Sequence, residues 1–456
     1  MILDVKAKNN LTLLIFLVFL PPFLIFSCAT SPHLFKPIDS AVEQADFLAA
    51  LEEIRRVQKG INVIYNERNT ISLFLDKGLL EYYAGNYADS SADLHNAEKL
   101  IEEAYTKSKS ELFYSYIIND NIKEYPGEDF ENIYLNVFNA LNYYNIGNTE
   151  GALIEILKLS GTNGKLDLLA HRYEYTDPAT GASLNEMTRK RTGIREVPQT
   201  RSVNFSNSAL ARYLSALFYQ AEGNTDSARA EFEQTERAFN SNRTIYYNRI
   251  PGAVMEARYV PSGKARLNII SFTGLSPIKE ETILLQYLPF QHPLLKIATF
   301  RLPDLVSRHS MITRIEVIVE NEGRFDLELL EDMGAVIKET FSARYANIFK
   351  KTYIRTIIKY AIADTAVAVK SEDSSKLSGF FIALAARLGT DASEGADVRM
   401  SRFLPDKAHI GGINLDPGAY SVIINYYNGN NIISSEIRNI TVNPDSLNLL
   451  QTVNLR

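Results

Sequence analysis

The sequence has no tryptophan and a single cysteine, Cys28, in 456 residues. One thiol excludes an intrachain disulfide and a thiolate metal cluster. Histidine is sparse, at His33, His95, His171, His292, His309 and His409, and forms no His-Glu-x-x-His or other close metal pair. There is no Gly-x-Ser-x-Gly elbow and no cysteine beyond Cys28 to act as a nucleophile. The stretch SGTNGKLD (160–167) misses the spacing of a phosphate loop and has Leu166 where Ser or Thr would hold magnesium. No catalytic residue, cofactor site or metal site is therefore expected, and the chain reads as a binding protein, not an enzyme. Excess positive charge is missing too: the net charge is −6, without the basic footprint of a general nucleic-acid binder. Apolar content of 46% marks globular material.

What is present begins at the N-terminus. Residues 1–10, MILDVKAKNN, are polar and carry Lys6 and Lys8, and residues 11–26, LTLLIFLVFLPPFLIF, are apolar. A basic start followed by an apolar core reads as a secretory signal. About 16 apolar residues fall short of the roughly 20 that span a bilayer, and Pro21-Pro22 would break a spanning helix. Ile25-Phe26-Ser27-Cys28 resembles a lipobox, the bacterial lipoprotein signal, with Ile25 where Leu is usual and Phe26 where a small residue is usual. The resemblance implies cleavage before Cys28 and lipidation of its thiol and new amine with palmitate-like chains, each buried CH₂ adding roughly 0.8 kcal/mol of membrane affinity. Ala29 after Cys28, instead of Asp, implies the periplasmic face of the outer membrane. Residues 1–27 are then the signal peptide, and 28–40, with Pro32 and Pro37, a tether.

Residues 41–250 carry helical periodicity. AVEQADFLAALEEIRRVQKG (41–60) sets Leu48, Leu51, Ile54 and Val57 on one helix that Gly60 ends. Three stretches then read almost alike: GNYADSSADL from Gly85, GNTEGALIEI from Gly147 and GNTDSARAEF from Gly223. Glycine fits the left-handed position after a helix. Asn or Thr can cap the next helix, and Asp89, Glu150 or Asp226 lies near its positive end. Small Ser90, Ala152 and Ala228 and large Leu94, Ile156 and Phe232 follow on one face. Gly85, Gly147 and Gly223 are thus predicted to be the elbows of helical hairpins, a structural role. The pattern resembles the tetratricopeptide repeat, with Gly78, Ala140 and Ala216 at the upstream small position and Tyr143 and Tyr219 at the aromatic one, where Glu81 departs. The glycines recur at roughly twice the 34-residue repeat length, so insertions are expected at 119–130 and 160–206. The resemblance implies an α-solenoid whose concave surface binds protein or peptide. The second insertion holds a basic cluster, Arg189, Lys190, Arg191, Arg195 and Arg201, read as a solvated loop, with contact to an acidic partner as the alternative.

Composition shifts to strand signals over 251–456. RLNIISFTG, ETILLQYLPF, HPLLKIATFRLP and TRIEVIVE are short apolar runs. Tyr420, Val422, Ile424 and Tyr426 alternate with Ser421, Ile423 and Asn425 between Pro417-Gly418 and a hairpin turn at Asn428-Gly429. An antiparallel β-sandwich is expected, with a helical insertion at about 329–389 whose apolar stripe is Ile354, Ile357, Ile358 and Ala361 and whose basic residues include Arg344, Lys350, Lys351, Arg355 and Lys359. That helix is read as packed on the domain, with a lipid or partner surface as the alternative. The acid pairs Glu280-Glu281 and Glu331-Asp332 read as solvated charge.

LEYYAGNYADSSADLHNAE, YLNVFNALNYYNIGNTEGAL, ARYLSALFYQAEGNTDSA and ADVRMSRFLPDKAHIGGINLDPGAYSV together resemble an uncharacterised family of bacterial lipoproteins, though Met400-Ser401 stands where that family usually has Trp. The fold class expected is α+β multidomain: a tetratricopeptide-like half, then the β-sandwich. The function expected is a membrane-anchored, protein-binding scaffold or assembly factor of the cell envelope, held by lipidated Cys28 and binding no nucleic acid. Substrate or glycan binding, or a hydrolase built on dispersed carboxylates, are the alternatives. A scaffold predicts an open groove along the hairpins lined by Tyr and Asn. A hydrolase predicts converging, desolvated carboxylates in a cleft of the β half.

Overall fold

The computed structural model describes residues 34–59, 64–65, 67–108, 124–172, 205, 207–287, 295–371 and 395–456. Cys28, the leader, the basic cluster at 189–201 and residues 372–389 of the expected helical insertion lie outside them.

The chain enters through two short helices, α1 (Lys36–Glu43) and α2 (Phe47–Lys59). Residues 36–40, expected to be tether, are helical. Pro37 is tolerated in the first turn, where its missing N–H would have had no partner. Ile38 and Val42 are buried, and Asp39 accepts two hydrogen bonds from Arg402, at 2.7 and 2.5 Å. The single helix expected over 41–60 is interrupted. Ala45 is left-handed (φ 59°), and Asp46 caps α2 by accepting from the Ala49 N–H. Leu48 is consequently turned out to solvent, while Leu51 and Ile54 remain in the core.

Three hairpins follow: α3 (Thr70–Tyr83) with α4 (Tyr87–Ser108), α5 (Asp129–Asn145) with α6 (Thr149–Ser160), and α8 (Ala209–Ala221) with α9 (Thr225–Ser241). The short α7 (Lys165–Arg172) trails the second hairpin, and α10 (Gly252–Glu256) precedes the strands. Helix α4 packs on α5, and α8 packs on α6, so each hairpin leans on the next. The first helix of each pair is the inner one. α5 is buried from Asp129 to Asn142 and α8 from Ala209 to Tyr219.

The strands are β1 (Ala265–Leu275), β2 (Ile278–Tyr287), β3 (Ile297–Val306), β4 (Arg314–Val319), β5 (Gly323–Asp326), β6 (Glu328–Asp332), β7 (Pro405–Leu415), β8 (Gly418–Asn428), β9 (Asn431–Val442) and β10 (Asn448–Asn454). They form one sheet in the order β10-β1-β7-β6, a second in the order β5-β4-β8-β9, and a β2-β3 ribbon. All pairings are antiparallel except one. β10 runs parallel to β1, with Ile269 opposite Leu450, a departure from the all-antiparallel expectation. The chain crosses from β9 in the second sheet to the free edge of β1 in the first, where hydrogen bonds from the inner helices hold it. The β8–β9 turn is centred one residue later than expected, since Asn428 pairs Asn431 and Gly429 takes the positive φ of 59°.

Strand β1 is buried along its whole length because both faces are covered. Leu267 and Ile269 meet Val317 and Ile424 of the second sheet, and Ile270 and Phe272 enter the core of the hairpins. The molecule is thus α+β, and its helical and strand halves share one apolar core running from Ile38 to Leu455. A third, separate core lies between β3 and the long helix α11 (Met333–Ser371), where Ala298 and Phe300 meet Tyr353, Tyr360 and Ala363. Of the expected stripe, Ile357 packs against this core, and the side chains of Ile358 and Ala361 lie outside the described residues. Tyr353 stacks on Phe300 at 5.1 Å and on Phe349 at 5.8 Å, Ile354 is only half-buried, and the basic residue Arg355 is buried. Aromatic rings at 349, 353 and 360 recur close to the helical period and carry more apolar area than the isoleucines.

Candidate functional site

Gly85, Gly147 and Gly223 adopt φ of 82°, 74° and 73°. At each elbow the asparagine N–H that follows reaches back five residues: Asn86 to the Glu81 carbonyl at 2.8 Å, Asn148 to Tyr143 at 2.8 Å and Asn224 to Tyr219 at 2.9 Å. The glycine N–H reaches back three. This is the same Schellman closure three times. Asn148 and Asn224 then cap the next helix by accepting from Gly151 and Ser227 N–H. Asn86 instead donates to the Glu81 carboxylate at 2.7 Å, which accounts for the acid where the repeat pattern has an aromatic ring. Ser90, Ala152 and Ala228 are buried, as are Leu94, Ile156 and Phe232.

The inner face of the hairpins is occupied by the strands of the same chain. Tyr82 Oη donates to Gln451 at 2.7 Å and Tyr83 Oη to the Phe403 carbonyl at 2.8 Å. Tyr144 Oη donates to the Leu447 carbonyl and accepts from the Leu449 N–H, both at 2.9 Å. Asn145 Nδ2 donates to Gln451 at 2.9 Å. Phe138 packs on Tyr82 at 5.0 Å and on Phe272 of β1 at 4.9 Å. The Tyr and Asn side chains expected to line an open groove make this seam.

Three carboxylates are buried in the same seam, two of which sequence reasoning did not single out. Asp76 of α3 accepts from Tyr65 Oη at 2.7 Å, Ser401 Oγ at 2.9 Å and the Arg402 N–H at 2.6 Å. Glu131 of α5 accepts from Tyr125 Oη and the Glu128 N–H, both at 2.7 Å, and from the Ser401 N–H at 2.5 Å. Glu331 accepts from Tyr134 Oη, Tyr246 Oη, Ser208 Oγ and the Leu210 N–H. Burial pushes Asp76 up to about 6 against these hydrogen bonds. Burial, with the Glu128 charge behind it, pushes Glu131 up to about 7, and burial raises Glu331 as well. Glu331 is therefore not solvated charge. Its neighbour Asp332 caps α11 by accepting from the Ala335 N–H, and Glu281 is held by Arg301 and the Ala396 N–H. The signal that could have exposed Asp76 is a lone acid inside the apolar helical run SLFLDKGLL. With protein donors on every oxygen, Asp76 and Glu131 fasten the 396–404 segment to the helices and face no opening.

A second polar network joins the first two hairpins. Lys165 Nζ donates to Glu98, Asn132 and Asn136, and Lys158 Nζ to Glu98 and Glu155. Burial alone would raise Glu98, but Lys165, Lys158 and Asn136 overcome it and hold the acid near 2. Lys165, the lysine of the stretch that fell short of a phosphate loop, is thus committed to Glu98. His409 is half-buried on β7 with Thr273 Oγ1 3.4 Å from its Nδ1, and desolvation, aided by the Lys407 charge, lowers it to about 4. Among the described residues no group of three or more His, Cys, Asp or Glu could hold a metal ion, and no helix is long and apolar enough to cross a membrane.

Two surface features remain. The β2-β3 ribbon exposes a row of apolar side chains: Ile283, Leu285 at 62%, Tyr287 at 66%, and Ile297 across from Tyr287. A cleft of about 530 Å³ opens between the third elbow, the 257–265 junction, the start of β1 and the 445–447 turn. Compared with known family models, curated proteins and solved structures, the chain matches none.

Proposed function

We propose that the chain is a lipid-anchored scaffold or assembly factor of the bacterial envelope, held by Cys28, and that it meets its protein partner through the ribbon–helix arm of β2, β3 and α11. The observation that carries this reading is the apolar row Ile283, Leu285, Tyr287 and Ile297. It belongs to neither main core, and contiguous exposed apolar surface of this kind marks interaction sites. Helix α11 packs on the other face of the ribbon, through Ala298 and Phe300, and so leaves this row uncovered. The hairpin series with its repeated elbows supports the tetratricopeptide-like solenoid, and the two sheets meeting across one core support the β-sandwich. Because the inner hairpin face carries the protein's own strands, the repeat here serves as a cradle for the β half. The carboxylate-hydrolase alternative finds its acids engaged in the seam. Ligand or glycan binding keeps one specific support, the cleft at the third elbow.

The experiment places a photo-crosslinking residue at 285, and separately at exposed Arg229 on the outer hairpin surface, in cells carrying the full chain. A discrete protein adduct from 285, lost in a Tyr287→Glu background, is expected. Adducts from 229 alone, or none from 285, would overturn the arm. Radioactive palmitate incorporation that vanishes in Cys28→Ala is the expected result for the anchor, and label surviving that substitution would sink it.

A further inference from the structure

The cleft at the third elbow has the make-up of a ligand site. Its floor is Arg266 on β1, whose side chain is only 4% exposed. Two guanidinium nitrogens are spoken for: Nη2 donates to Glu256 at 3.1 Å and Nη1 to Asn414 at 3.5 Å. Arg266 Nε has no hydrogen-bond partner. That nitrogen is itself buried, so Arg266 meets the cleft as part of its floor and not through a free donor. Amide and hydroxyl groups converge on the same space from three elements: Gln220 at the end of α8, Asn268 on β1 and Ser446 in the last turn. Gly223, Gly263 and Asp445, all at positive φ, are exposed around them. Leu217, Val260 and Leu447 add apolar patches to the wall.

The charges decide the class of ligand. Arg266 is met by Glu256 and Lys264 by Asp416, and Asp445 adds a further negative charge on the rim. No excess positive charge is left to draw in an anion. What is left is several neutral hydrogen-bonding side chains and small apolar patches. That combination suits a neutral, hydroxyl-rich molecule whose C–H faces rest on Leu217, Val260 and Leu447 while its hydroxyls bridge Gln220, Asn268 and Ser446. The volume lies within the range of small-molecule sites, roughly 300–1,000 Å³. We infer that this cleft is a saccharide site for one or two uncharged sugar rings, oriented by Gln220, Asn268 and Ser446 above the Arg266 floor.

The test is titration calorimetry on the full chain in a detergent without sugar headgroups. The neutral probes are N-acetylglucosamine, its β1,4-linked disaccharide and maltose; the anionic ones are glucuronate and inorganic phosphate. At least one neutral probe is expected to bind with a sub-millimolar Kd, and the anionic probes at least tenfold more weakly. Arg266→Met should abolish binding but also disturbs the Glu256 pair. Gln220→Ala and the rim substitution Ser262→Trp, which leave that pair alone, should therefore each weaken binding at least tenfold with an unchanged melting temperature. Three results would overturn the inference: no neutral probe binding at about 10 mM, tighter binding of glucuronate or phosphate, or binding indifferent to both Gln220→Ala and Ser262→Trp. None of them bears on crosslinking from the arm.

Discussion

A left-handed glycine and a crowded glycine look the same in a sequence but fail differently when replaced. At Gly85, Gly147 and Gly223 an added Cβ would meet nothing within 4 Å, so only the positive φ resists substitution. Each Gly→Ala change should cost about 1 kcal/mol in urea unfolding. At Gly78 the added Cβ would lie 2.7 Å from Leu94 Cδ2 in the buried hairpin interface. Overpacking of that kind costs roughly 1–3 kcal/mol, partly offset by better helix propensity. The two mechanisms separate in a double-mutant cycle. Leu94→Ala should couple to Gly78→Ala by about 1 kcal/mol or more, and to Gly85→Ala by less than about 0.5 kcal/mol.

Among the elements, β10 depends most on its neighbours, because it lies at the edge of its sheet and pairs with one strand, β1. Tyr144 clamps its start by donating to the Leu447 carbonyl and accepting from the Leu449 N–H. Tyr144→Phe removes both bonds and leaves a partly buried amide and carbonyl to find water, at a cost of about 1–2 kcal/mol. Hydrogen exchange should then quicken at Leu449 and along β10 while the α4–α5 contact region stays protected. Uniform acceleration across the molecule would instead mean that the strand is no independent opening unit. The 396–404 segment behaves as a second strap. Asp76→Asn leaves one acceptor where Ser401 Oγ and the Arg402 N–H share one oxygen and Tyr65 Oη uses the other, and it removes the charge from all three bonds, so proteolysis should appear first near Arg399 and Arg402.

For the whole molecule, stability and pH are linked through the seam. Asp76 at about 6 and Glu131 at about 7 are raised above their unfolded values of 3.8 and 4.5. Between those values the folded state holds more protons than the unfolded state, so the stability these groups contribute is full at low pH and is lost as pH rises through 6 to 7. His409, lowered from 6.5 to about 4, acts in the opposite direction, its contribution being lost as pH falls from 6.5 towards 4. The melting temperature should therefore fall between pH 6.5 and 8. Glu131→Gln should flatten that fall; a slope unchanged in the variant would remove Glu131 from the account. The shared core makes a second whole-molecule prediction. Cut free after residue 250, the hairpins would expose Tyr82, Phe138 and Tyr213, and the fragment should bind a hydrophobic dye and lack cooperative unfolding.

Short-range chemistry was legible in the residues alone. The elbows at Gly85, Gly147 and Gly223, the β8–β9 hairpin and the helix after β6 are set by backbone preferences and periodicities that act over a few positions, and those are written in adjacent letters. The anchoring proposed for Cys28 likewise rests on local sequence alone. Whatever depends on distant partners was not legible. Glu331 reads as one of two acids at the end of a strand, and only the fold surrounds it with Tyr134, Ser208 and Tyr246. The packing face of α11 was legible in part: Ile357 lies on it, whereas Tyr353 is drawn in by stacking on the distant Phe300. The fate of the concave face is the largest such decision. Local pattern builds a surface rich in Tyr and Asn, but long-range burial of β1 and β10 decides that this surface grips the protein's own strands and leaves the apolar row of the ribbon and the cleft exposed.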